Sequence, residues 1–328
     1  MDGRAVGRGW GRGRGRGTLI AVALAVASTL ADGAPAATPD LGPGADLHGY
    51  PVFPATDPWN TKIEKAAVDP ASQKILERIG LDVPLHTDFG AKWKGKPFGI
   101  PYVVVGKKQA KVPITFTEYG NESDKGPYPV PLDAPVEGGD DPLGDRHVLV
   151  LDRDAGLLYE LWHAVPDGKG WKAGCGAIFD VKAPKARPAG WTSADAAGLP
   201  IFPGLVRYDE AVAKTEIAHA VRFTVRKSRR AYVTPARHFA SRDDDKALLP
   251  MGARVRLKAT VDVKKFQGAA RALAECLKAY GMILADNGSD WFVSGAPDPR
   301  WNDDELSALR TLTVKDFEVV KMDGVVPN

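Results

Sequence analysis

Short apolar runs separated by turn residues dominate the pattern of the chain. They are rich in Val, Ile, Tyr and Phe and are bounded by Gly, Pro or Asp, which predicts β-strands. The predicted strands span residues 100–105, 112–117, 147–152, 157–165, 177–181, 217–225, 230–234, 255–263, 282–285, 291–293 and 317–320.

Two segments repeat apolar residues at helical spacing instead. Residues 69–79 begin at Asp69-Pro70 and end before Gly80, which suits the C-terminal cap of a helix. Residues 264–280 place Leu273 and Leu277 on one face, which predicts a longer helix packed on the core. Many strands at hairpin spacing, without regular β-α-β alternation, predict a mainly β protein: an antiparallel, jelly-roll-like β-sandwich with a few peripheral helices.

Residues 1–36 have the pattern of a secretory signal peptide. Five arginines precede the apolar run 18–30, and Ala34-Pro35-Ala36 offers small residues for cleavage. The run is shorter than the roughly 20 apolar residues that span a membrane. An RNA-binding role for the Gly-Arg repeats is disfavoured because this run follows them directly. We therefore expect a secreted protein with an extended N-terminal segment at 37–58 and a single β-rich domain at 59–328.

The charge count supports this division. The chain has 44 Lys and Arg against 41 Asp and Glu, but residues 1–36 hold five arginines and only two acids, which leaves 39 of each sign in the rest. A neutral body gives no electrostatic reason to expect nucleic acid or an anionic membrane surface as a partner. It favours a neutral or weakly charged substrate that is recognised by local groups.

The two cysteines lie in the part expected to be exported. Cys175 and Cys276 could form a disulfide in an oxidising compartment, and two buried free thiols are the alternative. Two cysteines are too few for a thiolate zinc site or an iron-sulfur cluster.

A hairpin is predicted around Asp154-Ala155-Gly156. A three-residue loop ending in Gly would place His147 opposite His163, with Glu160 and Trp162 on the other face; a two-residue turn would oppose His147 and Trp162. Glu160 is costly to bury in an apolar strand, so it is either functional or paired with an arginine.

Two further stretches concentrate polar residues. Residues 190–210 hold Trp191, Asp195, Asp209 and Glu210 inside an apolar loop, where the acids could act in catalysis or simply cap turns. The pair Arg237-His238 follows, whereas His219 on an alternating strand is expected to be structural.

In residues 285–301, Asp286-Asn287-Gly288 predicts a hairpin turn. Asp286 and Asp290 offer only a weak Ca²⁺ site because the ligand spacing of an EF-hand is missing. We expect no other cofactor.

Carboxylates among indole and phenol rings are suited to sugars, because apolar ring faces stack on aromatics while carboxyl groups bind hydroxyls or transfer protons. Cleavage of a glycosidic bond needs two carboxyl groups, about 5 to 9.5 Å apart depending on stereochemistry. We therefore expect a glycoside hydrolase acting on an extracellular polysaccharide. The candidate catalytic residues are Glu160, Asp195, Asp209, Glu210 and Asp286, with Asp180 as a further acid. The candidate substrate-binding residues are His147, Trp162, His163, Trp191, Arg237, His238 and Trp291.

Other functional classes remain open. A polysaccharide lyase would use a His or Tyr base with a cation, and a non-catalytic carbohydrate-binding protein would need only the aromatics. A metal site built from His147, His163 and Glu160 is disfavoured by the three-residue hairpin register. The chain has no Gly-x-Ser-x-Gly and no His-Glu-x-x-His, which disfavours a serine hydrolase and a zinc protease.

The stretch 190–210, Gly-Trp-Thr-Ser-Ala-Asp to Val-Arg-Tyr-Asp-Glu, and Ala-Asp-Asn-Gly-Ser-Asp-Trp-Phe at 285–292 are similar to those of a group of exported, uncharacterised microbial β-rich proteins. The resemblance covers most of the chain after the leader. It implies no activity, substrate or catalytic residue.

Overall fold

The chain folds into several β-sheets with few helices. The structure, a computed structural model, describes residues 38–327. Strands take up 28% and helices 16%, which confirms the mainly β class. The strands are β1 Gly42–Pro43, β2 His86–Asp88, β3 Gly90–Trp93, β4 Lys96–Phe98, β5 Tyr102–Val105, β6 Ile114–Phe116, β7 Val148–Asp152, β8 Leu157–Trp162, β9 Val165–Asp167, β10 Gly170–Ala173, β11 Cys175–Asp180, β12 Val221–Val225, β13 Arg229–Tyr232, β14 Pro250–Met251, β15 Arg254–Leu257, β16 Met282–Asn287, β17 Phe292–Ser294, β18 Phe317–Val319 and β19 Val326–Pro327.

Both predicted helices are present. α1 spans Ser72–Ile79 and ends where predicted, at Gly80, whose φ of 115° suits only glycine and whose N–H donates to the Leu76 carbonyl. α2 spans Gly268–Ala279 and begins four residues later than predicted. A short α3, Asp303–Ser307, was not predicted; the Asn302 side chain caps its first turn.

A five-stranded sheet with the order β1-β5-β7-β8-β11 is buried on both faces. In β7, Leu149 and Leu151 point into the main core, whereas Val148 and Val150 point into a second core. The small sheet β6-β10-β9 covers this second core through Trp171. Burial on two faces explains why β7 is an unbroken apolar run and does not alternate.

The larger sheet has six strands in the order β18-β15-β16-β12-β17-β2. It is mixed, because β12 runs parallel to β16 and β2 runs parallel to β17. The predicted hairpin at Asp286-Asn287-Gly288 is wrong: β16 and β17 do not pair with each other, since β12 lies between them. The turn signal is local and carries no information about the strand inserted between the two. None of the sheets within residues 38–327 closes into a barrel.

The β7–β8 hairpin differs from the favoured prediction. Its last pair is Asp152 with Leu157, so the loop has the four residues 153–156. The Asp152 side chain accepts hydrogen bonds from two loop N–H groups, and Gly156 adopts a φ of 67°. A cap of this kind lengthens the loop by one residue and shifts the register.

The shift changes which side chains share a face. Leu149 lies opposite Glu160 and Val148 lies opposite Leu161, so His147 and Trp162 are in line, as a two-residue turn would have placed them. Glu160 therefore faces the main core on the same side as Leu149. The three-residue register, with Glu160 turned away from His147, is wrong.

The predicted disulfide is also wrong. Cys175 and Cys276 are both buried free thiols. The Cys175 Sγ donates to the Ser193 carbonyl at 2.8 Å, and the Cys276 Sγ donates to the His219 carbonyl at 3.0 Å. Each thiol is packed against a separate carbonyl on a separate element, and burial raises the pKa of both.

The N-terminal segment lies against the five-stranded sheet. β1 pairs with β5, and Leu47 and Phe53 enter the main core. The predicted signal peptide, residues 1–36, lies outside the described residues. Across residues 38–327, no helix combines the length and apolarity that a membrane crossing requires.

Candidate functional site

Arg222, in the middle of the six-stranded sheet, is the centre of a buried polar group. Its Nε and Nη2 donate to the two carboxylate oxygens of Asp195 at 2.8 and 2.9 Å, and its Nη1 donates to the Ser294 Oγ at 2.8 Å. Asp195 is fully buried, so this bidentate ion pair is shielded from water. Burial lowers the pKa of Arg222, but the charge and hydrogen bonds of Asp195, with the charges of Asp286 and Glu137, raise it above its ordinary value and keep the guanidinium charged.

A β-bulge aims Asp286 at the same arginine. Arg222 pairs with Ile283, and residues three apart in a regular strand point to opposite faces. The register shifts between Phe223 and Thr224, so that Ala285 is an extra residue and Asp286 returns to the side of Arg222. The Arg222 Nη2 lies 3.3 Å from the Asp286 Oδ2.

Asp286 has the electrostatic character of a proton donor. Burial raises its pKa to about 7, helped by the charge of Asp195 and opposed by Arg222 and His147. Its side chain is nevertheless 24% exposed, so a substrate can reach it. A carboxyl group that exchanges its proton near neutral pH is suited to general acid–base catalysis.

The next two strands add a third carboxyl group to this face. Phe223 pairs with Val293, which places Ser294 beside Arg222, and Ser294 pairs with Asp88 in β2. Burial and then the charge of Glu137 raise the pKa of Asp88, whereas Arg222 lowers it. β2 was not predicted from the sequence, and Asp88 was missed with it.

His147 enters the group from the end of the five-stranded sheet. Its Nδ1 donates to the Glu137 carboxylate at 2.5 Å and its Nε2 donates to the Ala194 carbonyl at 3.0 Å. Although burial lowers the pKa of this imidazole, the Glu137 charge and hydrogen bond raise it to about 9. His147 is therefore a buried cation that positions Glu137 and the loop carrying Asp195.

An aromatic rim borders the exposed Asp145. The Trp162 Nε1 lies 3.4 Å from the Asp145 Oδ1, and the rings of Trp162 and Tyr119 are 6.2 Å apart. Gly174 lets the indole lie against the backbone, because a Cβ there would come within 2.4 Å of the ring. His163, with a left-handed φ of 54°, donates its N–H to the Asp145 carbonyl and fixes that residue beside the rim.

We call these residues the Arg222 cluster: Asp88, Glu137, Asp145, His147, Asp195, Arg222, Asp286 and Ser294. It contains five carboxyl groups against two cations. This excess of carboxyl groups can serve proton transfer, hydroxyl binding or a hard cation.

The cluster also holds a possible metal-ligand set. One ligand atom each from Glu137, Asp145 and His147 lie within 4.8 Å of one another. Both nitrogens of His147 are already hydrogen-bonded, which leaves two carboxylates for a cation. Asp286 and Asp290, the weak calcium candidates, bind separate arginines, Arg222 and Arg226.

Glu160 is fully buried and lies against the loop formed by residues 190–210. Its carboxylate accepts hydrogen bonds from the Ile201 N–H at 2.9 and 3.0 Å and from the Phe202 N–H at 2.8 Å. Burial raises its pKa to about 7, against these two N–H groups. Within residues 38–327, no arginine forms an ion pair with Glu160, and its carboxylate anchors the turn that begins at Phe202.

Asp209 and Glu210 belong to a different group, which we call the Arg207 cluster: Arg207, Asp209, Glu210 and His219. Arg207 donates to Glu210 at 2.6 Å, and the His219 Nε2 lies 3.0 Å from the same carboxylate. Although burial raises it, the charge of Arg207 and the interaction with His219 lower the pKa of Glu210. Asp209 accepts from the Leu47 N–H at 3.0 Å and ties the N-terminal segment to the fold.

The other predicted binding residues support the loop around Asp195. Trp191 packs against the Arg187 guanidinium, 5.7 Å from the ring centre. Arg237 donates to the Arg187 carbonyl at 2.9 Å, and His238 donates to the Ala196 carbonyl at 2.7 Å. These contacts hold the loop in place, and the hydrogen bonds of both side chains go to backbone carbonyls of the loop instead of to the Arg222 cluster.

Two predicted residues lie elsewhere. Trp291 is fully buried, with its ring 5.4 Å from Phe223 and 5.3 Å from Phe317. Asp180 is an exposed turn residue that accepts from the Lys182 and Ala183 N–H groups.

Of the predicted site residues, the structure brings together Asp195, Asp286, His147, Trp162 and His163. It adds members that sequence reasoning missed: Asp88, Glu137, Asp145, Arg222 and Ser294. The polar Arg222 between Val221 and Phe223 in an apolar strand was a signal for one of them, because a buried arginine requires an acidic partner. Glu137 and Asp145 lie in a polar loop that gave no such signal.

Comparisons with protein-family models, with curated proteins and with solved structures found no significant match to this chain.

Proposed function

We propose that this chain is an exported glycoside hydrolase whose active site is the Arg222 cluster. Asp286 is the general acid that protonates the leaving oxygen, and Asp145 is the second carboxylate. The jelly-roll-like sandwich, the secretory leader at residues 1–36 and a polysaccharide substrate belong to the same proposal.

The observation that carries the proposal is the state of Asp286. Its side chain is partly exposed, its Oδ2 accepts a hydrogen bond from the Arg222 Nη2 at 3.3 Å, and its pKa is raised to about 7. Of the two carboxyl groups bound to Arg222, the buried Asp195 is committed on both oxygens, so Asp286 is the one of the two that can exchange a proton. Glycosidases use such a raised-pKa acid as the proton donor.

The choice of Asp145 rests on exposure and neighbours. Asp145 is exposed, and its charge contributes to the raised pKa of Asp286. Trp162 and Tyr119 stand beside it, where a pyranose ring could stack. A carboxyl group with a raised pKa and a second, exposed carboxyl group next to an aromatic surface match the requirements of glycosidic cleavage.

The alternatives receive less support from the same residues. A lyase base among His147, His163, Tyr208 and His238 would have to be free, yet His147 is buried and its pKa is raised to about 9. The His163 Nδ1 lies 3.1 Å from the Glu118 carboxylate, and the His238 Nδ1 donates to a backbone carbonyl. Tyr208 lies under the Arg300 guanidinium at 4.1 Å. A binding-only protein would not need the raised pKa of Asp286.

The test is a survey of neutral polysaccharides with the purified chain, in which new reducing ends are measured. We expect release from at least one polymer, abolished by Asp286→Asn and by Asp145→Asn. The control is Asp244→Asn, an exposed acid outside the cluster, which should keep full activity. Binding without release would favour the non-catalytic alternative, and an unsaturated, ultraviolet-absorbing product would favour the lyase; either result contradicts the proposal.

A further inference from the structure

A groove of about 490 Å³ opens beside the Arg222 cluster at the β2 edge of the six-stranded sheet. Its aromatic walls are His86, Trp93, Phe98 and Phe292. Nothing in the proposed chemistry at Asp286 uses these rings. Trp93, at the tip of the β3–β4 hairpin, is 63% exposed, which is unusual for so large an apolar side chain.

The groove and the cluster lie on one face of the sheet. Thr224 pairs with Asp286 on one side and with Phe292 on the other, and Phe292 pairs with His86. Paired residues in neighbouring strands point to the same side, so a row runs from Asp286 across two strands to His86. The parallel row of Arg222, Ser294 and Asp88 lies beside it. Thr224, Arg222 and Ser294 are buried, whereas Asp88 is exposed and belongs both to the cluster and to the lining of the groove. A ligand extending from the cluster therefore reaches the groove at Asp88.

The exposed indole is held in place by its backbone. Asp303, at the start of α3, accepts hydrogen bonds from the Ala91 N–H at 2.8 Å and the Lys92 N–H at 3.0 Å. Gly90 makes this approach possible, because a Cβ there would lie 2.5 Å from the Asp303 Oδ1. The hairpin that carries Trp93 is thus fixed to a helix and presents a preformed surface.

The floor of the groove is flat and uncharged. The rings of His86 and Phe292 stack at 4.0 Å with an interplanar angle of 7°. Burial lowers the pKa of His86, and the nearby Arg310 lowers it further, so the imidazole is neutral near neutral pH. Among the lining residues, two acids, Asp88 and Asp303, balance two cations, Lys92 and Arg310.

We propose that this groove is a substrate subsite that binds neutral sugar residues of a polysaccharide chain extending from Asp286. Flat aromatic surfaces take the apolar faces of pyranose rings, and the balanced charges at the edges bind hydroxyls without selecting an ionic group. The inference rests on the proposed function and adds to it that the substrate is a chain long enough to fill both sites. Its consequence is a steep preference for longer oligosaccharides.

The test measures binding separately from cleavage. Full chain carrying Asp286→Asn is titrated with disaccharides and hexasaccharides of β-linked glucose, xylose, mannose and N-acetylglucosamine. We expect a hexasaccharide to bind more tightly than its disaccharide. Adding Trp93→Ala should weaken the binding of the hexasaccharide by about tenfold, as expected for one lost stacked ring, and leave the affinity for the disaccharide unchanged. Trp93→Phe should retain most of the affinity.

The matched control is Leu132→Ala, which removes another exposed apolar side chain that does not line the groove. Equal affinity for the two lengths, equal effects of Trp93→Ala and Leu132→Ala, or no binding of any oligosaccharide would overturn the subsite. Length-dependent binding without any cleavage by the unsubstituted chain would overturn only the proposed hydrolase. Cleavage that is insensitive to chain length and to Trp93→Ala would overturn only the subsite.

Discussion

The two arginine-centred clusters are built from the same residue types but differ in their charge balance. In the Arg207 cluster, Glu210 has Arg207 at 2.6 Å and His219 at 3.0 Å, and its pKa is lowered. In the Arg222 cluster, Arg222 is already bound by Asp195 on both oxygens when Asp286 approaches, and the pKa of Asp286 is raised to about 7. The Glu210 carboxylate has two basic partners, Arg207 and His219, whereas Asp286 shares its basic partner, Arg222, with Asp195.

Glu210 and Asp286 are both largely buried, so burial alone cannot explain why the pKa of Glu210 is lowered and that of Asp286 is raised. The balance of neighbouring charges decides them. An acid with sufficient basic partners becomes a stable ion and serves the fold, and an acid in excess retains a proton that it can transfer. The sequence placed Glu210 and Asp286 in one group of candidates; the charge balance around each separates them.

The largest expected effect is on catalysis. Asp286→Asn keeps the shape of the side chain and removes the transferable proton, so we expect kcat to fall by about a hundredfold to ten-thousandfold. Glu210→Gln should leave kcat within about twofold while lowering stability, because it acts on the fold. Both are measured on the polysaccharide found in the survey, with thermal unfolding alongside. Equal losses of kcat in the two variants would remove the distinction between the clusters.

The next effect is on stability. Arg222→Met leaves Asp195 buried without its partner, and we expect the free energy of unfolding to fall by about 3 to 5 kcal/mol. The double variant with Asp195→Asn should recover part of this loss, because the uncompensated charge is gone. Urea unfolding of the three proteins measures it. A double variant no more stable than Arg222→Met would show that the ion pair is not the cause.

Sequence patterns predicted the mainly β class, α1 with its Gly80 cap and most strands, because these depend on local periodicity. They did not predict the pairing of β12 between β16 and β17, or the bulge at Ala285, because both depend on contacts between distant segments. The bulge determines whether Asp286 meets Arg222. The sequence therefore identified Asp286 as a candidate acid, but it did not reveal that Asp286 lies beside Arg222.

The same limit explains the missed and corrected residues. Asp88 lies in a three-residue strand too short to give a periodic signal, and it joins the site only through its pairing with Ser294. Cys175 and Cys276 were a plausible pair by count, yet each thiol is held by a different carbonyl. Glu160 was correctly singled out as costly to bury, but its partners are backbone N–H groups, which no side-chain pattern reveals.

The pH dependence of stability should separate the clusters. His147 has a raised pKa, so its contribution is fully present below its ordinary value of 6.5 and is lost as the pH rises through about 9. Glu210 has a lowered pKa, so its contribution is present above its ordinary value of 4.5 and is lost as the pH falls through the lower folded-state value.

His147 therefore affects stability at alkaline pH and Glu210 affects it at acid pH, so one substitution tests each side of the pH–stability profile. His147→Gln should flatten the alkaline loss of stability, and Glu210→Gln should flatten part of the acid loss, in unfolding free energies measured across the pH range. The contribution of Asp286 to stability changes with pH in the opposite direction to that of Glu210. Because its pKa is raised, the folded state loses stability as the pH rises from 3.8 towards about 7. An alkaline limb unchanged by His147→Gln would contradict the assignment of the buried imidazolium.

The smallest expected effect is that of a reductant. Because Cys175 and Cys276 are separate buried thiols, dithiothreitol should leave the Tm unchanged, and the denatured protein should titrate with two thiols. This result would assign the stability of both clusters to their hydrogen bonds and packing. A fall in Tm on reduction would require a disulfide.

The titration of Asp286 tests the central claim most directly. Carbon-13 NMR of the aspartate side chains, with the Asp286 signal assigned by its loss in Asp286→Asn, gives the pKa of this carboxyl group in the folded chain. The charge imbalance at Arg222 predicts a pKa of about 7, which falls when Asp195→Asn removes the neighbouring charge. A value near the ordinary 3.8, unchanged by Asp195→Asn, would contradict the account.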